Sequence, residues 1–510
     1  MKTITSLLFI LLLGTQGNAQ LISSKRKNDA TNTTSLPIHQ NEYISDFVEI
    51  TEMELLKKDS IHYRIKLYDD MLKELGHIDF NDKYLTPYAA ASGGGLLCIA
   101  YLRTEQRGTK AGAGIFFSKL PKPEGEIYLQ FIDSSGKIVQ EYTEAVKTSD
   151  SFGYWILRNP VVLSYVAGQG FVFAYGDGQP GAGMYSHRGF YKKTGIGNKM
   201  TFLNEKGEKK WQLEFSECYP DNLRLLTTGQ YLYLLRGVNK NMIPAVHEML
   251  IINSASGKLE SQQLIYPHKE EQLNCLEFRL DSRKEPVLSG IVTSGTHTSW
   301  AMSKVLNPLK YSFEQKILFK MLLSKHYEAL VNIRWKDTQA LQTLIRLQDT
   351  TALTREAGVD ATDKQAIVCE AYTDSLGDTY FWGPVYEHVK SKGNVSCRYV
   401  QLRLSPEKRL TLDHLYPADT VKAPAGITYL VWVPRLFNSY FKIAERPYVA
   451  IGDEKALRVF NFRTGETVRE VKRREDGLIT RRFLCTRPGH VSTVEWDFSG
   501  NRNVFVEPVD

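Results

Sequence analysis

Much of the equipment by which chemistry announces itself is missing from this 510-residue sequence. There is no Cys-x-x-Cys, so a zinc site of that type has no support. A Gly-x-Ser-x-Gly elbow, a phosphate loop ending in Gly-Lys-Ser/Thr and a calcium loop of spaced aspartates are absent too. His247-Glu248 opens like a zincin motif, but no histidine follows at the required helical spacing. No metal or cofactor is therefore expected. Beyond the first residues no run approaches 18 apolar positions, which excludes an integral membrane segment in the mature chain. Cysteine is scarce, six in all, and the closest two, Cys369 and Cys397, are 28 positions apart. A chain this long buries an adequate core without staples, so buried free thiols are favoured over a disulfide framework. The formal charge of +7 is a mild excess at this length. Short basic clusters such as Lys472-Arg473-Arg474 are interrupted by acids and read as solvated faces, giving nucleic acid no foothold.

What is present begins with an export signal. Lys2 supplies the positive start, Ile4 to Leu13 the apolar middle and Gly17-Asn18-Ala19 a small-residue cleavage site before Gln20. The apolar middle is too short to span a bilayer, and no cysteine follows it for a lipid anchor. The expected address is the periplasm, the extracellular space or the cell surface. Residues 20–46 are polar and without periodicity, and read as a flexible leader.

From residue 47 the texture is uniform: short apolar runs separated by turn formers. The clearest unit is Ile127–Thr143, two extended runs joined by Asp133-Ser134-Ser135-Gly136, whose polar side chains and glycine suit a tight reversal. Similar hairpins are read at 202–213, 251–259, 402–410 and 459–468, and at 63–75 without the glycine. Six such units down one chain indicate a repeat architecture. Several runs are apolar on both alternating faces. In Phe171-Val-Phe-Ala-Tyr175 the aromatics point one way and Val172 and Ala174 the other, so both sides need cover. Small sheets packed between sibling sheets in a ring provide it, which predicts an all-β chain: one β-propeller of about seven blades, six to eight, over 47–510. A string of β-sandwiches is the rival, disfavoured because no clean linker follows residue 47. Strand-like ends near Phe47–Met53 and Val504–Val509 are candidates for closing the ring. Ser312–His326 carries helical spacing, and Thr350–Lys364 reads as a long loop.

Two stretches are candidate ligand sites. Gly176–Gly189 contains the letters of a dinucleotide fingerprint after a strand, but Pro180 interrupts it and no helix pattern follows to aim at a pyrophosphate. It reads instead as a glycine-rich loop carrying Asp177, His187 and Arg188. The second is Tyr380–His388, with Tyr380, Trp382 and His388 as candidate contacts on a face loop. Aromatic pairs here and at Tyr154-Trp155 suit sugar stacking, and equally suit the wedge between sheets. No catalytic residue is assigned.

The signal ending Asn18-Ala19-Gln20 and the Asp-Ser-Ser-Gly-Lys style of hairpin resemble exported proteins of Bacteroidetes-type bacteria. The resemblance is to an uncharacterised family with a predicted propeller-like fold; it implies the fold and transfers no activity or functional residue. The expected function is a non-catalytic binding or scaffold protein that offers a propeller face to a protein or glycan. The alternative is a secreted carbohydrate-active hydrolase with acidic residues around the channel.

Overall fold

The computed structural model describes residues 33–104, 124–147, 161–175, 198–265, 271–294, 327–346, 364–422, 437–472, 480–485, 490–496 and 502–508, with brief breaks inside several of these spans. Residues 1–19, read as an export signal, the Gly176–Gly189 stretch, Tyr154-Trp155 and Ser312–His326 lie outside them, as does Thr350–Lys364 apart from its last residue. Among the described residues there is no helix, and the strands form eight antiparallel sheets.

In chain order the sheets span 33–82, 84–147, 162–215, 219–265, 271–346, 364–422, 437–472 and 480–508, and are called sheets one to eight. Each is an up-and-down meander in which neighbours in sequence are neighbours in space. Sheet six keeps this plan with a divided first strand (Lys364–Ala366 and Glu370–Thr373) and a divided last strand (Leu410–Tyr416 and Thr420–Lys422). The first strand of each sheet lies against the first strand of the next, without a break from sheet one to sheet eight. Thr480–Cys485, first in sheet eight, then returns to Tyr43–Lys57 in sheet one. The result is a closed ring of small sheets, a β-propeller.

Local chemistry explains the hairpins. At Asp133 the carboxylate accepts from the amides of Ser135 at 2.9 Å and Lys137 at 3.0 Å, and Gly136 takes φ +80°. Asn204 does the same for Lys206 and Glu208, with Gly207 at φ +73°. This is a type I turn followed by a left-handed residue, a three-residue hairpin plan. All six hairpins read from the sequence join a third strand to a fourth. The two lacking glycine, at Asp69 and Ser405, place Leu72 and Lys408 in the left-handed region instead.

Packing between sheets follows from the two-sided strands. Phe171, Phe173 and Tyr175 pack with Phe131, Leu129 and Cys98 of sheet two. Val172 and Ala174 pack on the other side with Leu223, Leu232 and Leu250 of sheet four. Sheet three is thus filled from both neighbours, and its central strand is buried throughout.

Two expectations are corrected. Thr33–Gln40 is a strand paired with Tyr43–Lys57, and its Leu36 and Ile38 are buried, so residues 33–46 belong to sheet one rather than to a leader. Their polar composition hides the pattern, because Leu36, Pro37 and Ile38 are the apolar residues of Thr33–Gln40. Nor do Phe47–Met53 and Val504–Val509 close the ring by pairing. Phe47–Met53 and, up to Pro508, the second segment fall in strands of sheets one and eight that pair within their own sheets; Val509 lies outside the described residues.

Each meander of four strand positions enters and leaves at the same end, so the ring has two unlike faces. First-to-second and third-to-fourth connections share one face and run two to five residues each. Every longer connection, including 105–123, 176–197 and 295–326, joins strand ends at the other face.

Candidate functional site

Asp177, His187 and Arg188 lie outside the described residues, beyond the strand that ends at Tyr175. Tyr380, Trp382 and His388 are placed, but not on a face loop. They belong to the strand Thr379–Val389, paired with Asn394–Leu404 on one side and with the divided first strand on the other. The loop reading rests on the position of the stretch between two strand-like segments; Gly383-Pro384 lies inside the strand although proline cannot donate to a ladder. Those two residues fall between the registers of the two inner pieces, at the interruption of that ladder. Tyr380 is buried, its ring edge-on to Phe462 at 4.4 Å and its hydroxyl donating to Asp374 at 3.4 Å. Burial, then the carboxylates of Asp374 and Asp378, push its phenol well above the usual range. Tyr380 fills the wedge between sheets six and seven, the structural role that aromatic clusters in an all-β chain take most often.

The polar cluster nearest the Gly176 stretch centres on Glu144. This residue lies on the outer strand of sheet two, Ile138–Lys147, where exposure alternates along 141–145 and turns Tyr142 and Glu144 inward. Its carboxylate accepts from the hydroxyls of Tyr175 at 2.7 Å, Thr201 at 3.2 Å and Tyr142 at 3.2 Å. Lys199 Nζ stands 3.4 Å away and reaches Glu214 at 3.7 Å. Burial, then the nearby Glu144 charge, pushes the Tyr142 phenol up to about 12. Burial and the hydrogen bond to Glu144 raise Tyr175 further. Both phenols stay protonated donors at neutral pH. The cluster binds sheet two to sheet three at the face of long connections, leaving Lys199 and Glu214 partly open to solvent. Nothing in the sequence brings Glu144 and Lys199 together, because the pairing is between sheets.

A second cluster joins sheets five and six on the short-turn side. Glu277 accepts from Ser289 at 2.8 Å, from Arg279 at 2.5 Å, and from the Thr373 amide at 3.0 Å and hydroxyl at 3.1 Å. Asn332 donates to Ser289 at 3.0 Å and to Thr373 at 3.3 Å. Arg279 also donates to the Thr373 carbonyl and lies 4.1 Å from the Tyr372 ring centre. Arg403 grips Asp378 in the adjacent turn. Glu277 and Asp378 each accept from several donor groups, which is the arrangement of a clamp between strands.

Cys98 and Cys275 are buried free thiols, and burial raises both. Among the described residues no group of three or more His, Cys, Asp or Glu side chains is placed to hold a metal ion, and no helix is long and apolar enough to cross a membrane.

No protein-family model and no curated protein matches the chain. Among solved structures it is similar to a dihydro-heme d1 dehydrogenase, NirN, at 10% identity and TM-score 0.34, over 81% of this chain and 64% of that one. A prolyl endopeptidase matches at 9% and 0.36, over 95% and 55%. The quinohemoprotein alcohol dehydrogenase of Comamonas testosteroni matches at 9% and 0.40, over 94% and 76%. The chain spans less than two thirds of the first two. No activity is carried over from any of them, and the propeller assignment rests on the sheet topology itself.

Proposed function

We propose that this chain is a non-catalytic exported binding or scaffold protein that uses the long-connection face of its ring to hold a protein or glycan partner. The observation that carries this reading is the division between the faces. One is built only from connections of two to five residues, while every longer connection joins strand ends at the other. A ring whose longer connections all join strand ends on one side is an arrangement suited to recognition, because contacts concentrate on loops held by a fixed scaffold. The described carboxylates at Glu144, Glu277 and Asp378 support it too, since each is engaged in joining or bracing sheets. The address in the periplasm or at the cell surface, and the kinship with exported Bacteroidetes-type proteins, are parts of the same proposal.

The test pairs affinity capture from native envelope fractions with a glycan array. Lys199→Glu alters the long-connection face, and Lys206→Glu on a short turn serves as the control. Specific enrichment of a protein or sugar that is weakened by the first change and indifferent to the second is expected. Enrichment of neither class, or loss with the control alone, rejects the reading.

A further inference from the structure

One outer strand is built unlike the rest. In sheets one to four, six and seven a bulge interrupts the pairing of the fourth strand with the third. Each of those fourth strands also carries a charged residue within its span. Bulges and charges are devices that keep an open sheet edge from pairing with another chain. Gln339–Arg346, the fourth strand of sheet five, has no bulge and no charge before its last residue. It follows a two-residue connection and pairs with Tyr327–Lys336 in unbroken register. Its sequence is Gln-Ala-Leu-Gln-Thr-Leu-Ile before Arg346 ends it. Among the described residues no strand pairs with its outer side.

An apolar patch flanks this edge. Leu376 and Leu341, 69% and 63% exposed, are the most open large apolar side chains among the described residues. Arg334 links them. It is the register partner of Leu341, and it donates to the carbonyl of Gly377, the residue after Leu376. Cross-strand partners share a face with Cβ atoms about 5 Å apart. Leu341 therefore lies on the side of sheet five that meets sheet six. Gln339, Ala340 and Gln342 are exposed as well. A regular backbone edge and two leucines are thus open together near the short-turn face.

We propose that this edge pairs with the same edge of a second copy, antiparallel across a two-fold axis near Leu341. Charge selects the occupant. Residues 339–345 offer no ion pair to a charged strand, whereas a second copy brings no like charges into opposition. Antiparallel pairing carries the two Arg346 residues to opposite ends. A two-fold axis normal to the sheet keeps like sides together, so the Leu341 and Leu376 side chains of both copies gather on one side. The long-connection face of each ring stays free. The assembly would then present two binding faces, and the pairing itself does not depend on what those faces bind.

Sedimentation velocity of the chain from Gln20 onward, over a range of concentrations, tests this. A monomer–dimer equilibrium is expected, weakened at least tenfold by Leu341→Lys or Leu376→Lys. Leu75→Lys alters a comparably open leucine on the outer strand of sheet one and should leave it unchanged. In Leu341→Lys like charges meet across the axis. An equimolar mixture with Leu341→Glu should therefore recover the dimer, a result that misfolded chains cannot give. Three results overturn the proposal. One is a monomer at every concentration, which leaves the edge to a foreign strand or to none. Another is a dimer that Leu75→Lys weakens as much as Leu341→Lys does. The third is a mixture no more associated than its two components.

Discussion

The indole N–H of Trp211 donates to the backbone carbonyl of Ser254 across 2.8 Å, from the outer strand of sheet three to the hairpin turn of sheet four. The turn approaches so closely that a Cβ on Gly257 would stand 2.6 Å from the indole. The same relationship recurs around the ring. His414 meets the Arg463 carbonyl at 2.8 Å, its Nε2 acting as donor, and Gln263 donates to the Thr338 carbonyl. Third-to-fourth turns thus do two jobs: they reverse the chain and they brace against the preceding sheet.

Replacing Trp211 by phenylalanine keeps most of the apolar volume but leaves the Ser254 carbonyl without its donor. A loss of about 1 kcal/mol is expected, the ordinary net value of one such bond. Gly257→Ala should cost more, since it meets the indole from a backbone at φ +70°. Urea denaturation orders the two. Equal stability of Trp211→Phe and the parent chain would show that the contact does not brace the turn.

Two nearby glycines separate backbone strain from steric clash. Gly168 has φ +68° and open space around a would-be Cβ, so alanine there should cost only the left-handed penalty of about 1 kcal/mol. Gly170 has φ +136°, and its Cβ would fall 2.1 Å from the carbonyl oxygen of Leu203 on the paired strand. Backbone cannot step aside as a side chain can, so Gly170→Ala should cost more than about 4 kcal/mol or prevent folding. Thermal melts of both variants decide it, and similar melting temperatures would contradict the account.

The sequence exposes those features whose cause is local. Asx turns with a left-handed fourth residue are visible in one hairpin at a time, and the two-sided apolar strands reveal that each sheet is covered twice. Asp281 and Asp374 head the same kind of turn, each accepting from the amides two and four residues on, but between first and second strands. Lys284 hides the first of them by standing at φ +62° where a glycine is looked for. Thr33–Gln40 has few apolar positions to mark it as a strand, and Tyr380–His388 lies between strand-like segments yet is itself a strand, which only its partners 364–373 and 394–404 reveal. The Glu144 and Glu277 clusters have no signature in sequence at all. Thr373 is 96 residues from Glu277, and only the juxtaposition of sheets makes them partners.

His247 predicts a dependence on pH. It is buried in sheet four with Nε2 2.9 Å from the Leu273 carbonyl of sheet five, so that nitrogen carries the proton, and its Nδ1 has no partner. Burial lowers its pKa from 6.5 to about 4. The unfolded chain takes up a proton first as pH falls, so the stabilising neutral form is fully effective above about 6.5 and is lost progressively down to about 4. The loss over that window is about 3 kcal/mol at 1.36 kcal/mol for each pKa unit. His247→Gln can still donate to Leu273 but cannot titrate. Denaturation midpoints between pH 4 and 8 should fall more steeply with acid in the parent than in this variant, and parallel curves would remove His247 as the cause.

The Glu277 clamp makes the most demanding prediction, because its members act together. Glu277→Ala leaves the Ser289 hydroxyl, the Thr373 amide and hydroxyl and the Arg279 guanidinium without their shared acceptor inside a buried joint. Breaking a buried charged network by removing one partner costs about 3 to 5 kcal/mol. Thr373→Val removes one hydroxyl from the same network and keeps the shape, at about 1 to 2 kcal/mol. Once Glu277 is gone, the Thr373 hydroxyl has lost the acceptor that gave it value. The double variant should therefore be less unstable than the sum of the singles by about 1 kcal/mol or more. The strands involved, Glu271–Leu280 and Glu370–Thr373, are the first of two consecutive sheets. Coupling between them measures how firmly one sheet of the ring is fastened to the next, and additivity within about 0.3 kcal/mol would mean the two residues stabilise their own sheets separately.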